Sequence, residues 1–304
     1  MQPVEAKPAS LVSGEHLGKG IAFTLLGGAG WGFSGTCAQF LFNDYDVSPT
    51  WLVAVRMAMA AVMFLPMLLF THRDRELELL RDRKHLGITA AFALFGVLAC
   101  SSCYLMSIQA SDAGTATVLQ ALNLLIILAV TCVQLKRGPR PKEMLGVVMA
   151  LAGTFLIATQ GSLTSLSISP QALFWGALNA ASCALYTLLP ARALAKHGAT
   201  CVTGTAIVLC AVAANIMYQP WTCMPTLDMA GWLAVVGVAF VGTFGSFLLY
   251  VTGVKIVGSL LAGLLACTEP IVACVLSVVW MGTVFSGVDL VGIALIIAMM
   301  FTMV

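Results

Sequence analysis

The chemistry open to this chain lies in a few polar side chains set inside long apolar runs. Glu269, followed by Pro270, stands about midway along the run 258–281. A carboxylate at bilayer depth costs about 2.5–3.5 kcal/mol or more, so its presence there is a functional hypothesis in itself. Proline in mid-helix donates no backbone hydrogen bond and frees the carbonyl four residues earlier, here that of Ala266. The pair predicts a helix kinked at Pro270, with a bare carbonyl beside a carboxyl group. That combination can meet a substrate ammonium or carry a coupling proton. The competing reading is a structural carboxyl bonded to a neighbouring helix.

Other polar groups sit at similar depth. Gln120 and Asn123 share one helix face by i, i+3 spacing. Buried amides need partners. Facing the centre they can bind a polar metabolite, and facing a neighbour they act as interhelical glue. Arg56 is the one basic residue inside an apolar run. It can snorkel to the nearer surface, or face a cavity and pair with Glu269 or with a substrate carboxylate. Trp31, Tyr104, Tyr186 and Tyr250, with Asn179, Ser246 and Thr268, complete the candidate lining. Helix packing or an interfacial belt is the alternative for each aromatic.

No Ser/His/Asp set and no His-x-x-x-His occurs in the runs. His16, His72, His85 and His197 all fall in loops or the N-terminus. Cys100 and Cys103 spell C-x-x-C, but without a second pair they read as small buried thiols. The run Gly27-Gly28-Ala29-Gly30-Trp31-Gly32 has no adjoining strand, Lys or Ser of a phosphate loop and reads as close helix packing. The expectation is therefore no enzyme, no metal and no cofactor.

The elements that must hold these groups are set by composition. Apolar residues make up 60% of the chain and charged residues 9%, with a mean hydropathy of +0.98. Such a chain cannot cover a water-facing surface with polar groups, so its solvent is lipid. Backbone groups in lipid must pair internally, which leaves helices or closed barrels, and long continuous apolar runs select helices. Ten are predicted, over 20–41, 51–70, 86–109, 114–135, 143–160, 170–190, 200–219, 229–251, 258–281 and 287–304. The N-terminal segment is polar and the first run too long for a cleavable signal. The fold class is all-α, multi-pass, in the plasma (inner) membrane.

Charge orients the runs. Lys7 and Lys19 precede the first. Arg73, Arg75, Arg81, Arg83 and Lys84 follow the second, and Lys136, Arg137, Arg140 and Lys142 the fourth. Arg192 and Lys196 follow the sixth, and Lys255 the eighth. The intervening gaps hold only Asp44, Asp46, Asp112, Asp228 and Asp289. Positive charge collects on the cytoplasmic side, which places both termini there. The charged loop 71–85 reads as a solvated helical turn. The net charge of +2 gives no indication of nucleic acid.

Residues 93–155 superpose on 239–301 without a gap. Gly96 meets Gly242, Tyr104 meets Tyr250, Gly146 meets Gly292 and Asn123 meets Glu269. A unit of five helices is odd, so its second copy enters the membrane upside-down, an architecture used for alternating access. The expected organisation is a cytoplasmic segment 1–19, a first five-helix repeat 20–160 and a second 170–304.

On these residues the chain resembles the drug/metabolite transporter superfamily, EamA type, over nearly all of 20–304. The resemblance is carried by Trp31-Gly32, by Arg56 in the helix after Ser48-Pro49, and by Lys142-Glu143-Met144-Leu145-Gly146. Thr268-Glu269-Pro270 and Val288-Asp289-Leu290-Val291-Gly292 complete it. Where the family often has Leu-Gly-Glu after the fourth and ninth helices, this chain reads Leu135-Lys136-Arg137 and Met281-Gly282-Thr283. Leu124 stands opposite Pro270. The resemblance implies that helices one to four and six to nine shape a central cavity, with five and ten peripheral. It implies a structural role for Arg56 and export of amino acids or related metabolites. A wet cavity with one carboxyl, amides and tyrosines suits zwitterionic or neutral solutes. The expected partners are a small-molecule substrate, the lipid bilayer and a proton as candidate coupling ion, with monomer and homodimer both open. A non-transporting sensor or scaffold, or a carrier of nucleosides or sugars, is the alternative.

Overall fold

The computed structural model describes residues 14–159, 168–258, 261–262, 265–266 and 268–303. Of the expected N-terminal segment, residues 1–13 lie outside these, as do the expected unit ends 160 and 304. No strand occurs among the described residues. The helices are α1 (Gly14–Tyr45), α2 (Pro49–Thr71), α3 (Arg73–Arg81), α4 (Arg83–Ala110), α5 (Ala113–Gln134) and α6 (Pro141–Thr159). They continue as α7 (Pro170–Leu188), α8 (Ala191–His197), α9 (Ala199–Tyr218), α10 (Met229–Val257), α11 (Thr268–Val279) and α12 (Gly287–Met303).

Among the described residues seven runs are long and apolar enough to cross a membrane: α2, α4, α5, α6, α7 with α8, α9 and α10. The expected first stretch is the 32-residue, glycine-rich α1. The ninth and tenth correspond to the shorter apolar helices α11 and α12. The described boundaries agree within a few residues except in the first stretch, where α1 begins at Gly14 rather than 20, and in the ninth, where α11 begins only at Thr268.

Helix starts follow local chemistry. Asp112 accepts from Thr115 N (2.8 Å), Ser169 from Ala172 N (3.1 Å) and Asp228 from Gly231 N (2.9 Å), each satisfying an orphan donor of the first turn. Pro49 and Pro170 stand at first helical positions, where a missing N–H costs nothing. Gly198, at φ +86°, separates α8 from α9 in a conformation that side chains rarely adopt.

Packing partners come in matched sets. α1 packs most extensively on α10, as α7 does on α4. α1 also packs on α11, as α7 packs on both parts of α5. α2 pairs with α9, and α6 with α12. The main apolar core joins α1, α2, α4, α9 and α10 through Leu41, Leu52, Met57, Phe92, Leu105, Cys210 and Val235. A second cluster, with Val118, Ala150, Ile157, Ile296 and Met299, holds α6 and α12 to each other and to α5. A Cβ on Gly153 would stand 2.7 Å from the Gly292 carbonyl, and one on Gly292 2.8 Å from that of Gly153. Glycine here allows two backbones to meet directly.

Among the described residues three helices contain π-helical segments: Met67–Thr71 in α2, Phe92–Leu98 in α4 and Gly237–Gly245 in α10. The last two fall at corresponding positions when 93–155 is laid on 239–301. Thr243 Oγ1 donates to Val238 O (3.1 Å) and Ser246 Oγ to Val241 O (2.8 Å), each reaching five residues back. Such segments re-aim the side chains that follow them and recur at functional sites.

The charged loop is a correction. Its helix α3 does not stand free in solvent: Leu79 is fully buried and Glu76 is 8% exposed. Thr205 Oγ1 of α9 donates to Glu76 Oε1 (2.7 Å) and Lys196 Nζ to Asp82 Oδ2 (2.7 Å). Lys196 and then His85 beside it hold the Asp82 carboxyl well below the usual carboxylate range. Alternating charge hides one apolar and one acidic contact that only a partner helix reveals.

Candidate functional site

Glycine on one face of α1 brings the start of α11 close. A Cβ on Gly28 would lie 3.5 Å from Glu269 N, and one on Gly32 2.6 Å from Glu269 O. The expected packing role of this glycine run is what the structure shows. Trp31, between them, lies 5.1 Å from Tyr250 of α10, ring centroid to centroid.

The ninth stretch is interrupted rather than kinked at Pro270. Ala266 N bonds Ala262 O (2.9 Å), and the chain then turns. Glu269 N closes a tighter bond to Ala266 O (3.0 Å), and Thr268 Oγ1 donates to Leu265 O (2.7 Å). The carbonyl expected to be left bare by Pro270 is therefore taken. Pro270 lies in the first turn of a new helix, where proline is tolerated, and Glu269 lies in that same turn.

α5 repeats the device without proline. Its ladder tightens at Ala121–Leu122: Leu122 N bonds Leu119 O (3.1 Å), Leu124 N bonds Ala121 O (3.2 Å) and Leu125 N bonds Leu122 O (3.0 Å). Asn123 opens the second part of α5, as Glu269 does α11.

Polar side chains from four helices join at these two interruptions. Gln120 Nε2 donates to Glu269 Oε1 (3.4 Å), and Asn179 Nδ2 of α7 donates to Gln120 Oε1 (3.0 Å). Cys100 Sγ of α4 donates to Asn179 Oδ1 (3.4 Å), and Asn123 Nδ2 to Cys183 Sγ of α7 (2.8 Å). Asn179 is wholly buried, while Glu269, Gln120, Asn123, Cys100 and Cys183 keep partial exposure. Cys100 and Cys183 are residues that sequence reasoning missed as members of this chain of bonds. Their spacing of four from Tyr104 and Asn179, one helical turn on the same face, was the available signal.

The remaining expected residues lie around this network. Tyr104 Oη shares a hydrogen bond with Thr117 Oγ1 (2.8 Å) and lies against Gly35 of α1. Tyr186 packs on Phe92, at the start of the π segment of α4 (5.0 Å). Ser246 is spent on its own helix, against Gly30. Arg56 turns inward: its guanidinium donates to Ser101 Oγ (3.3 Å), and its Nε is buried without a hydrogen bond. Among the described residues no ion pair joins Arg56 to Glu269.

A further polar knot closes the acidic-loop end of the site. Gln39 Oε1 of α1 accepts from Ala113 N (2.9 Å) and from Ser277 Oγ (3.2 Å), and Ser277 Oγ also accepts from Gly114 N (3.2 Å). Two orphan donors at the start of α5 are thus satisfied by side chains of α1 and α11. A separate cavity of about 130 Å³, lined by Asp112, Thr115, Thr283 and Asp289 among others, lies at this end rather than at Glu269.

Comparison with known proteins places the chain in a family. The model of the EamA-like transporter family fits residues 18–159 and again 170–304. A Salmonella typhimurium protein described as the uncharacterized inner membrane transporter YicL is 32% identical over 280 residues, covering 92% of this chain and 93% of that protein. The uncharacterized transporter YyaM of Bacillus subtilis is 26% identical over 272 residues, covering 86% and 87%. One crystal structure superposes with a TM-score of 0.64 at 19% identity, covering 92% of this chain and 96% of the other, which establishes likeness of fold.

Proposed function

Since the chain belongs to the EamA-like transporter family and is a multi-pass plasma-membrane protein, we propose that it moves a small polar or amphipathic organic metabolite, amino-acid-like, outward by alternating access. We read it as ten crossings in two five-helix units, 20–160 and 170–304, of opposite orientation, with residues 1–19 and both termini cytoplasmic. The matched packing sets and the paired π segments support that reading.

The observation that carries the proposal is the pair of interrupted helices. Each ends a backbone segment at mid-span and starts another with a polar residue, Asn123 in α5 and Glu269 in α11. Discontinuous helices near the midplane are where inverted-repeat carriers hold solutes and coupling ions. Glu269 supplies one carboxylate for an ammonium. Gln120, Asn123 and Asn179 supply amide donors and acceptors for a carboxylate or hydroxyl. Trp31 and Tyr250 supply an apolar wall. The bonds among these groups satisfy them while the site holds no solute, and a solute takes over part of the set. Family resemblance supports a structural role for Arg56, as does its bond to Ser101.

The test is flux in liposomes containing only this protein. A thermal-shift screen of amino acids, nucleosides and sugars chooses the solutes. Saturable flux of an amino-acid-like hit is the expected result. Binding without flux would support the sensor reading, and flux confined to nucleosides or sugars would move the substrate class.

A further inference from the structure

At the basic-loop end of the bundle, two histidines distant in sequence meet beside two acids. His197 ends α8, and His85 lies in the first turn of α4. Their ring centroids are 5.2 Å apart. His197 is 1% exposed, and no hydrogen bond reaches either of its ring nitrogens. Its Nε2 faces Asp82 Oδ2 at 3.7 Å and its Nδ1 faces Glu78 Oε1 at 3.9 Å, both beyond hydrogen-bonding range. A buried imidazole with two unsatisfied nitrogens is costly. Asp82 Oδ2 also takes His85 Nδ1 at 2.7 Å. One ligand atom each from Asp82, His85 and His197 lies within 4.8 Å of the others.

We propose that Asp82, His85 and His197 bind a divalent cation of the zinc class, joining the start of α4 to the end of α8. Two imidazoles and a carboxylate are a donor set that zinc accepts, and a fourth position stays open to water. The cation lies between His197 Nε2 and Asp82, where the gap is too long for a hydrogen bond. Glu78, on the far side of the ring, then orients His197 through Nδ1, the usual outer partner of a metal-bound imidazole. Bonds of about 2.0–2.2 Å in a tetrahedron set the donors about 3.4 Å apart, so His197 Nε2 and Asp82 Oδ2 close slightly from 3.7 Å while His85 Nδ1 and Asp82 Oδ2 open from their 2.7 Å hydrogen bond. Lys196 Nζ now holds the same Asp82 oxygen at 2.7 Å, and its side chain is 48% exposed. Binding displaces it into solvent.

That displacement separates a metal site from a mere structural latch. The experiment titrates Co²⁺ and then Zn²⁺ into the purified full chain, followed by calorimetry and by cobalt absorption. The expected result is about one equivalent bound per chain, with four-coordinate cobalt bands and no thiolate charge transfer. His197→Asn and His85→Asn each weaken binding about tenfold or more. Lys196→Gln tightens it, because the competing ammonium is gone. His85 lies at the surface of the cluster, so H85N and K196Q keep the test alive if H197N fails to fold. No binding, binding unchanged in H85N, thiolate bands, or weaker binding in K196Q would each overturn the proposal.

Discussion

The interruption in α5 and the one before α11 occupy corresponding places in the two halves of the sequence yet are built differently. The second has a turn at Ala266, then a carboxylate at Glu269 and a proline at Pro270 in the first turn of α11. In α5 the corresponding residues are Leu124, Gln120 and Asn123, with neither proline nor carboxylate. Both backbones nonetheless close onto carbonyls three residues back. Proline is therefore one means to this geometry and not its cause. In α5 the interruption goes with side-chain bonds: Gln120 reaches Glu269 and Asn179, and Asn123 reaches Cys183. The two sites have diverged in charge while keeping a backbone shape, leaving one ionisable and one neutral face to the same network.

The comparison breaks first at Glu269. If its charge distinguishes the halves in function, Glu269→Gln lowers flux by about ten- to a hundredfold, the worth of a charged hydrogen bond of about 1.5–3 kcal/mol. It also flattens the pH profile of flux. Unchanged flux and profile in that variant would remove Glu269 from the mechanism.

Gly32 tests how far the second interruption depends on α1. Gly32→Val places side-chain atoms against Glu269 O and the backbone of Ala273. Overpacking of this kind costs about 1–3 kcal/mol, read as a lower melting temperature in detergent. Gly18, with nothing near its missing Cβ, is the control, and Gly18→Ala should leave it unchanged.

Gln120→Leu removes the amide that joins Glu269 to Asn179. Asn179 and Glu269 each lose a partner, at a cost of about 1–3 kcal/mol for a buried group left unpaired. Flux and melting temperature should both fall, by less than in the Glu269 variant for flux.

The smallest effect sharpens the backbone argument. Leu124→Pro puts proline where the second half already has it, and the cost should stay near that of the one bond lost, about 1 kcal/mol. Ile127→Pro, inside the same helix, should cost about 3 kcal/mol or more. Equal losses, seen as equal drops in folded yield and melting temperature, would show that α5 has no turn at Ala121–Leu122.

Much of the fold was legible because lipid leaves a chain few choices. Apolar runs of crossing length must be helices, and their described limits were readable within a few residues except at the start of the first and in the ninth. Glu269, Gln120, Asn123 and Asn179 were legible because polar groups are expensive at that depth. Cys100 and Cys183 were not, since a thiol in an apolar run is cheap and ordinary. The burial of Glu76 and Leu79 was hidden for the opposite reason: a segment rich in both charges reads as solvated whatever it touches.

Composition, periodicity and the spacing of charges determined by themselves that this is a helical membrane protein, because those properties follow from transfer of side chains between water and lipid. Which polar groups meet was decided only by tertiary structure. Helix faces turn, and interruptions and π segments shift side chains by part of a turn, so partners such as Gln120 and Asn179, or His85 and His197, are set by packing and not by distance along the chain.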